Sequence, residues 1–247
     1  MSEANTKTAD CCTFNRRGFI QSAAAVGSGL LGCGLGLNLA YADALTREQR
    51  DKMTPDDIIA LMKKGNERFR NGEGATRNYL AEQRAAASGQ FPAAVVLSCI
   101  DSRAPAEVIL DLGIGDVFNA RVAGNIANED ILGSMEFACK AAGAKVVLVM
   151  GHTACGAIKG AIDNVELGNL TGLLAKIRPA VKATTYQGER TSKNLAFVDA
   201  VARKNVELTM NYIRNMSAVL RKLEEEKRIE LAGAMYNLET AVVDFWT

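Results

Sequence analysis

Two largely apolar stretches decide the fold class of this chain: Ala93-Ala94-Val95-Val96-Leu97-Ser98 and Lys145-Val146-Val147-Leu148-Val149-Met150. Unbroken apolar runs of this length are typical of strands covered on both faces, as in parallel sheets. Weaker signals predict two further strands, over residues 116–121 and 229–236. Two helices are predicted over residues 105–112 and 128–142. Strands that alternate with helices indicate an α/β fold with a central, mainly parallel sheet flanked by α-helices.

Helices are also predicted on either side of this strand-rich region. Thr54 and Pro55 form a helix start, and an apolar stripe then continues to Asn71-Gly72, where the helix ends. Residues 170–228 are predicted to be largely helical, broken by Pro179 and by a polar loop over residues 184–193.

Composition limits the kinds of partner. Of 247 residues, 48% are apolar and 23% are charged, which is the average of globular proteins and excludes disordered or collagen-like chains. The 29 basic and 28 acidic residues leave a net charge of +1, which is too small to indicate nucleic acid as a partner. We therefore expect a small-molecule ligand.

Residues 1–42 have the pattern of a secretory signal peptide. The basic pair Arg16-Arg17 precedes a run rich in Ala, Gly and Leu, and Ala40-Tyr41-Ala42 closes that run. A basic segment, an apolar segment and a small-residue cleavage site are the three parts of such a signal. The mature domain is then expected to span residues 43–247.

The adjacent arginines resemble those of twin-arginine signals, because an apolar pair follows them after one glycine. This resemblance implies that the twin-arginine translocase exports the already folded protein to the bacterial periplasm. Two alternatives remain open, namely a single-pass membrane anchor and a lipid-attachment site at Cys33 within Leu30-Leu31-Gly32-Cys33.

Side chains of the types that bind metals, here called metal-type side chains, follow the two strongest predicted strands. Cys99 comes directly after the first strand, and His152 and Cys155 follow the second. Because ligand sites in parallel sheets lie beyond the carboxyl ends of the strands, we expect these side chains to meet. Two thiolates and one imidazole form a zinc-type set with a fourth position left open. A helix is expected to begin after Cys155, where its N-terminus would favour the thiolate, whereas Cys139 is interpreted as a buried apolar residue.

A charged pair stands beside the first thiol. Asp101 and Arg103 follow Cys99 at two-residue intervals. A carboxylate next to a guanidinium stays ionised and oriented, which suits a catalytic role. The alternative is a salt bridge that only holds the turn.

The two motifs together resemble those of the β-class carbonic anhydrases. Ser98-Cys99-Ile100-Asp101-Ser102-Arg103 is followed, 49 residues after Arg103, by His152-Thr153-Ala154-Cys155-Gly156. The similarity extends from about Asp56 to the C-terminus. It implies one zinc ion on Cys99, His152 and Cys155, with Asp101 and Arg103 as the catalytic dyad. It also implies four substrate-binding residues: Gln90, Phe118, Phe137 and Gly156.

Three positions refine this resemblance. Gln90, nine residues before the first metal-type cysteine, matches a substrate-binding Gln of members whose zinc is open to water, and thus favours that open form. Phe137 stands where plant-type members have Tyr, so a hydroxyl hydrogen bond would be lost. Asn237 stands where Asp is usual, and the sequence alone does not explain this departure.

The implied reaction is the reversible hydration of carbon dioxide to bicarbonate and a proton by zinc-bound hydroxide, since zinc lowers the pKa of its bound water toward neutrality. With one histidine in the chain, the proton must leave through buffer, water or a carboxylate. The resemblance further implies a homodimer or larger homo-oligomer with the pocket at the subunit boundary. The helix predicted over residues 56–69 would pack on a neighbour or, equally, on its own chain.

Two other functions remain open from the sequence. One is hydrolysis of carbonyl sulfide or carbon disulfide, which share the linear shape of carbon dioxide. The other is a non-catalytic role in zinc storage or redox sensing, in which Asp101, Arg103 and Gln90 would have no task.

Overall fold

The computed structural model describes residues 44–247, so the predicted signal peptide lies outside the described residues. The helices of this part are α1 (Arg47–Lys52), α2 (Pro55–Asn71), α3 (Tyr79–Ala86), α4 (Ala106–Ile109), α5 (Glu129–Glu136), α6 (Gly156–Ile162), α7 (Gly168–Ala183), α8 (Leu195–Met216) and α9 (Ala218–Glu225). The strands are β1 (Ala94–Ser98), β2 (Val117–Arg121), β3 (Val146–His152), β4 (Glu230–Tyr236) and β5 (Val243–Trp246). A 3-10 turn, Ala123–Asn125, follows β2, and a π-helical turn, Phe137–Ala141, continues α5.

The strands form one sheet in the order β2-β1-β3-β4-β5. The first four strands are parallel, and β5 is antiparallel to β4. The α/β prediction with a mainly parallel sheet is therefore confirmed, and each of the four predicted strands is present within one or two residues. The fifth strand was not predicted, because four residues that include Asp244 carry too weak a pattern.

Both faces of the sheet are covered, which explains the continuous apolar runs. All residues of β1 and β3 are buried. Val95 and Leu97 pack with α5 to α9 on one face, whereas Val96 and Leu148 pack with α2 and α4 on the other. Alternate side chains of a strand point to opposite faces, so each face requires its own apolar set.

Helix α2 packs on its own chain. Thr54 caps its first turn, as predicted, and Gly72 ends it with a φ of 71°. Its apolar residues Ile58 and Met62 are fully buried against the sheet. The amide of Asn66 also bonds the backbone on both sides of the helix, at Ile109, Ala241 and Val243. The helix therefore packs on its own chain, as one of the two expectations had it, and a further contact with a neighbouring copy stays a prediction.

Two helix predictions differ from the structure. Pro179 does not break α7, which continues to Ala183. A proline removes one backbone donor, but Ile177 and Ala180 on either side of it are buried, and this packing holds the helix together. Helix α4 is much shorter than predicted, because Asp111 adopts a left-handed φ of 46° that α-helix cannot continue through.

The structure gives Asn237 a local role. Its Oδ1 accepts hydrogen bonds from the backbone N–H groups of Glu239 and Thr240, at 2.8 and 3.1 Å, in the turn between β4 and β5. Asn and Asp make such turn contacts equally well, so Asn at this position keeps the hairpin intact. None of the helices within residues 44–247 combines the length and apolar character needed to cross a bilayer.

Candidate metal centre

The three metal-type side chains meet at the carboxyl ends of two neighbouring strands. Cys99 directly follows β1, and His152 is the last residue of β3. Cys155 precedes the first residue of α6. Because β1 and β3 are parallel partners, Ser98 lies opposite Met150 and the following residues end at the same edge of the sheet. The sequence prediction that these side chains converge is confirmed.

The geometry of this group suits a single cation. One ligand atom from each of the three residues lies within 4.8 Å of the others. The two sulfurs are 4.0 Å apart, and all three side chains are buried. Donors at such separations surround one ion of the size of zinc, which takes sulfur at about 2.3 Å and nitrogen at about 2.0 Å.

The hydrogen bonds of His152 also leave a ligand atom available. Nδ1 lies 2.9 Å from the carbonyl oxygen of Thr153, which can only accept, so Nδ1 carries the proton. Nε2 is buried and has no hydrogen-bond partner within the described part of the chain. A buried nitrogen lone pair is costly unless it is satisfied, and a metal ion satisfies it. The residues present therefore fit zinc.

The two thiols compete for one negative charge. The Cys155 thiol hydrogen-bonds Cys99 and lowers the pKa of Cys99, and the same contact raises the pKa of Cys155. The backbone N–H groups of Ala157 and Ile158 favour the Cys155 thiolate, as predicted for a helix start, but the Cys99 charge and burial outweigh them. A divalent cation supplies the positive charge that allows both thiols to ionise.

The imidazole responds to the same charge. Burial disfavours protonated His152, but the nearby negative charge of the Cys99 thiolate outweighs burial and raises the pKa of His152. Metal binding requires the neutral imidazole and two thiolates, so binding zinc releases protons.

Asp101 lies at the edge of this group, and Arg103 holds it there. The Arg103 Nε and Nη2 atoms donate to the two carboxylate oxygens at 3.0 and 2.8 Å, and the Arg103 backbone N–H donates to Oδ1 at 2.9 Å. These bonds hold the pKa of Asp101 well below its usual range. Oδ2 lies 3.8 Å from His152 Nε2. The carboxylate therefore faces the metal-type group with one oxygen, while the guanidinium points toward solvent.

Two supporting residues escaped the sequence analysis. Arg121, at the end of β2, donates to the carbonyl oxygens of Cys99 and Asp101 at 2.9 and 2.7 Å and so fastens the loop that carries both. Asp199 of α8 accepts a hydrogen bond of 2.8 Å from the N–H of Ala154, which has a left-handed φ of 54°. The sequence did offer a signal for Arg121, because it is a charged residue at the end of the strand predicted over residues 116–121. Nothing in the sequence pointed to Asp199.

Two of the predicted substrate-binding residues lie together on the face of the sheet that α5 to α9 cover. The rings of Phe118 and Phe137 contact edge to face, with centroids 6.0 Å apart. Phe118 pairs with Val95 of β1. Val95 lies four residues before Cys99, which is about 13 Å along the strand. Phe137 is 55% exposed.

The other two predicted residues lie at opposite ends of the sheet. Gly156 adjoins Cys155 at the first position of α6. Gln90 precedes β1 and lines a surface cavity of about 520 Å³ with residues of α1 and α3. The five residues of β1 separate it from Cys99 by about 16 Å. One chain by itself does not bring Gln90 to the metal-type group, and its substrate-binding role stays a prediction.

This fold and this site define a class of protein: an α/β chain with a buried, cysteine-rich zinc site at the carboxyl edge of a parallel sheet. The sequence profile described as carbonic anhydrase matches residues 94–243. The chain belongs to the carbonic anhydrase family, and within it to the β class. It is accordingly a zinc-dependent lyase, and the family reaction is the reversible hydration of carbon dioxide.

Individual relatives agree with this assignment. Carbonic anhydrase 2 of Mycobacterium tuberculosis is 31% identical over 184 residues, which cover 72% of this chain and 86% of the relative. Carbonic anhydrase of Pseudomonas aeruginosa is 32% identical over 168 residues, covering 64% and 74%. Among solved structures, a tetrameric β-carbonic anhydrase of Sordaria macrospora is 25% identical with a TM-score of 0.57, covering 64% of this chain and 82% of that one. A β-carbonic anhydrase of Aspergillus fumigatus is 26% identical with a TM-score of 0.59, covering 66% and 79%.

Proposed function

We propose that this chain is an exported carbonic anhydrase in which Asp101 and Arg103 assist the reaction at the zinc site. The observation that carries the proposal is the position of the Asp101 carboxylate. Its Oδ2 lies 3.8 Å from Nε2 of His152, and the Arg103 guanidinium donates hydrogen bonds to both of its oxygens. A salt bridge that only held the turn would not need to face the buried ligands.

Zinc held by Cys99, His152 and Cys155 would act as a Lewis acid that lowers the pKa of a coordinated water. The chain's own contribution is orientation. Asp101 Oδ2 accepts one bond from Arg103 and has a lone pair left for a hydrogen bond from the reacting water, while Oδ1 accepts two bonds from Arg103. The three bonds keep the carboxylate ionised and fixed, which supports the open form of the site.

The chain has a single histidine, and it is buried in the metal group. Proton release therefore proceeds through water, buffer or a carboxylate other than Asp101, whose lowered pKa makes it a poor proton acceptor, rather than through a second imidazole. We expect turnover to rise with buffer concentration until another step limits it.

The test is stopped-flow hydration of carbon dioxide together with metal analysis of the purified protein. We expect about one zinc per chain and hydration that a chelator abolishes and zinc restores. Parallel assays with carbonyl sulfide and carbon disulfide compare the alternative substrates. A zinc-loaded sample with no hydration activity would contradict the proposal and favour zinc storage or redox sensing.

We further infer that the enzyme assembles as a homodimer or a larger oligomer. The Sordaria macrospora relative is tetrameric. Several large apolar side chains are also exposed in the single chain: Tyr79 57%, Leu80 69%, Ile100 61% and Val108 54%. A second copy that covers such residues would also bring its own Gln90 to the site that this chain's Gln90 does not reach.

Co-expression of two inactive variants tests this assembly. A Gln90→Leu chain and a Cys99→Ser chain each lack one component, and a mixed dimer regains one complete site only if Gln90 acts across the boundary. Random pairing then restores about a quarter of the sites. As a control, Asp101→Asn co-expressed with Cys99→Ser should restore none, because both residues belong to one chain's site. Equal recovery in the two mixtures would refute the assignment.

Export is the remaining part of the proposal, and it depends on the Arg16-Arg17 pattern. In the bacterium that makes the protein, we expect the native chain in the periplasmic fraction with Asp43 as its N-terminus. An Arg16→Lys, Arg17→Lys double variant should remain in the cytoplasm. A double variant that is still exported and cleaved would exclude the twin-arginine route.

A further inference from the structure

A short left-handed turn contacts the first metal ligand. In the 3-10 turn Ala123–Asn125, Gly124 has a φ of 68° and Asn125 a φ of 42°. The N–H of Gly124 donates a hydrogen bond of 3.3 Å to the sulfur of Cys99. Hydrogen bonds to a ligating sulfur orient it and stabilise its negative charge, so this turn bears on metal binding.

The turn requires support from elsewhere in the fold. Left-handed backbone is uncommon for residues with a side chain, and Asn125, although Asn adopts it more readily than most, is such a residue. A strained conformation persists only where the surrounding structure holds it. Within the turn, one backbone bond of 2.9 Å joins Asn125 N–H to the carbonyl of Val122.

The support comes from α8. Asn205 is 2% exposed, and its Nδ2 donates a hydrogen bond of 2.7 Å to the carbonyl oxygen of Gly124. This bond fixes the peptide group on one side of Gly124, while the Gly124 N–H on the other side contacts Cys99. The two bonds connect α8 to the metal-binding sulfur through a single residue of backbone.

We propose that Asn205 is a positioning residue of the zinc site: its amide holds the left-handed turn so that the Gly124 N–H stays directed at the Cys99 sulfur. Asn205 touches neither substrate nor metal. The inference rests on the proposed zinc enzyme and adds a residue, distant in sequence, that tunes how firmly the metal is held.

The chain provides a matched control. Asn66 is also a buried asparagine, 3% exposed, whose amide bonds backbone groups. It lies on α2, against the opposite face of the sheet from the helix that carries Asn205. A purely structural role predicts that Asn205→Leu and Asn66→Leu lose stability without affecting zinc affinity, whereas our proposal predicts that only Asn205→Leu loses zinc affinity. A cavity of about 330 Å³ beside Asn205 gives the leucine room to fit.

Zinc affinity is measured by competition with a chromophoric chelator, on the full enzyme and both variants. We expect the zinc dissociation constant of Asn205→Leu to rise by about 10- to 100-fold, as supporting hydrogen bonds of metal ligands typically contribute, and that of Asn66→Leu to remain within about twofold. In protein loaded with cadmium-113, the Gly124 amide resonance should couple to the metal through the sulfur in the wild type and lose that coupling in Asn205→Leu.

The outcomes distinguish a failure of the proposed function from a failure of the role assigned to Asn205. A wild type that does not bind zinc contradicts the proposed function itself. A wild type that binds zinc, with Asn205→Leu unchanged in affinity and in Gly124 coupling, overturns only the role of Asn205. If the leucine variant does not fold, Asn205→Asp serves instead, because it keeps the volume but presents an oxygen to the Gly124 carbonyl. An unchanged dissociation constant in that variant would equally refute the inference.

Discussion

Substitution of Gly124 by alanine is the most direct test of how the fold builds the metal site. A Cβ at this position would lie 2.5 Å from Cδ1 of Ile177 and 3.3 Å from Cβ of Ala157. Ile177 is fully buried in the core, so it has little room to move. The φ of 68° is also one that alanine adopts only with strain.

The steric clash and the backbone strain together set the expected loss of stability. Left-handed backbone costs an alanine about 1 to 2 kcal/mol. Overpacking of a filled core costs about 1 to 3 kcal/mol. The sum, about 2 to 5 kcal/mol, lowers the melting temperature of a domain of this size by about 4 to 20 °C. The displaced N–H also weakens its bond to Cys99, so we expect zinc to bind about tenfold more weakly.

Calorimetry of the zinc-free protein measures the loss of stability, and chelator competition measures the affinity. Gly172→Ala is the control, because Gly172 lies in α7 and a Cβ there meets nothing within 4 Å. That change should stabilise the protein by about 0.5 to 1 kcal/mol, since alanine is the better helix former. A Gly124→Ala protein that melts with the wild type and binds zinc equally well would refute the reasoning.

Four further predictions concern the dyad, the ligands and the core. Arg103→Ala should reduce hydration near neutral pH by about 100-fold or more while zinc stays bound, and full activity in stopped-flow assays would contradict it. Because Arg103 lowers the pKa of Asp101, their pair stabilises the fold above about pH 4 and this contribution is lost as the pH falls, so urea titrations of the zinc-free variant should show a weaker acid dependence. Cys99→Ser should lose zinc, and a purified variant with one zinc per chain would remove Cys99 from the ligand set. Gly65→Ala should prevent stable folding, because its Cβ would meet the carbonyl of Leu110, and a soluble variant with wild-type melting would show otherwise.

The local sequence determined much of the fold and of the candidate site. Apolar runs at β1 and β3 predicted buried parallel strands, because both faces of each strand must be apolar where helices cover them. The position of Cys99 and His152 after those runs then placed them at one edge of the sheet. The spacing of Asp101 and Arg103 predicted their contact, since neighbours in a tight loop meet whatever the rest of the chain does.

Only the tertiary structure decided the rest, because the contacts join segments far apart in the chain. Asn205 and Gly124 are 81 residues apart, and α8 reaches the turn only when it packs against the sheet. Pro179 breaks an isolated helix but not α7, whose buried residues hold it in place. Gln90 was predicted to bind substrate, yet the length of β1 places it at the far end of its own sheet from Cys99. Residue type and spacing thus determined which side chains form the candidate metal group, whereas long-range packing determined how the backbone around them is held.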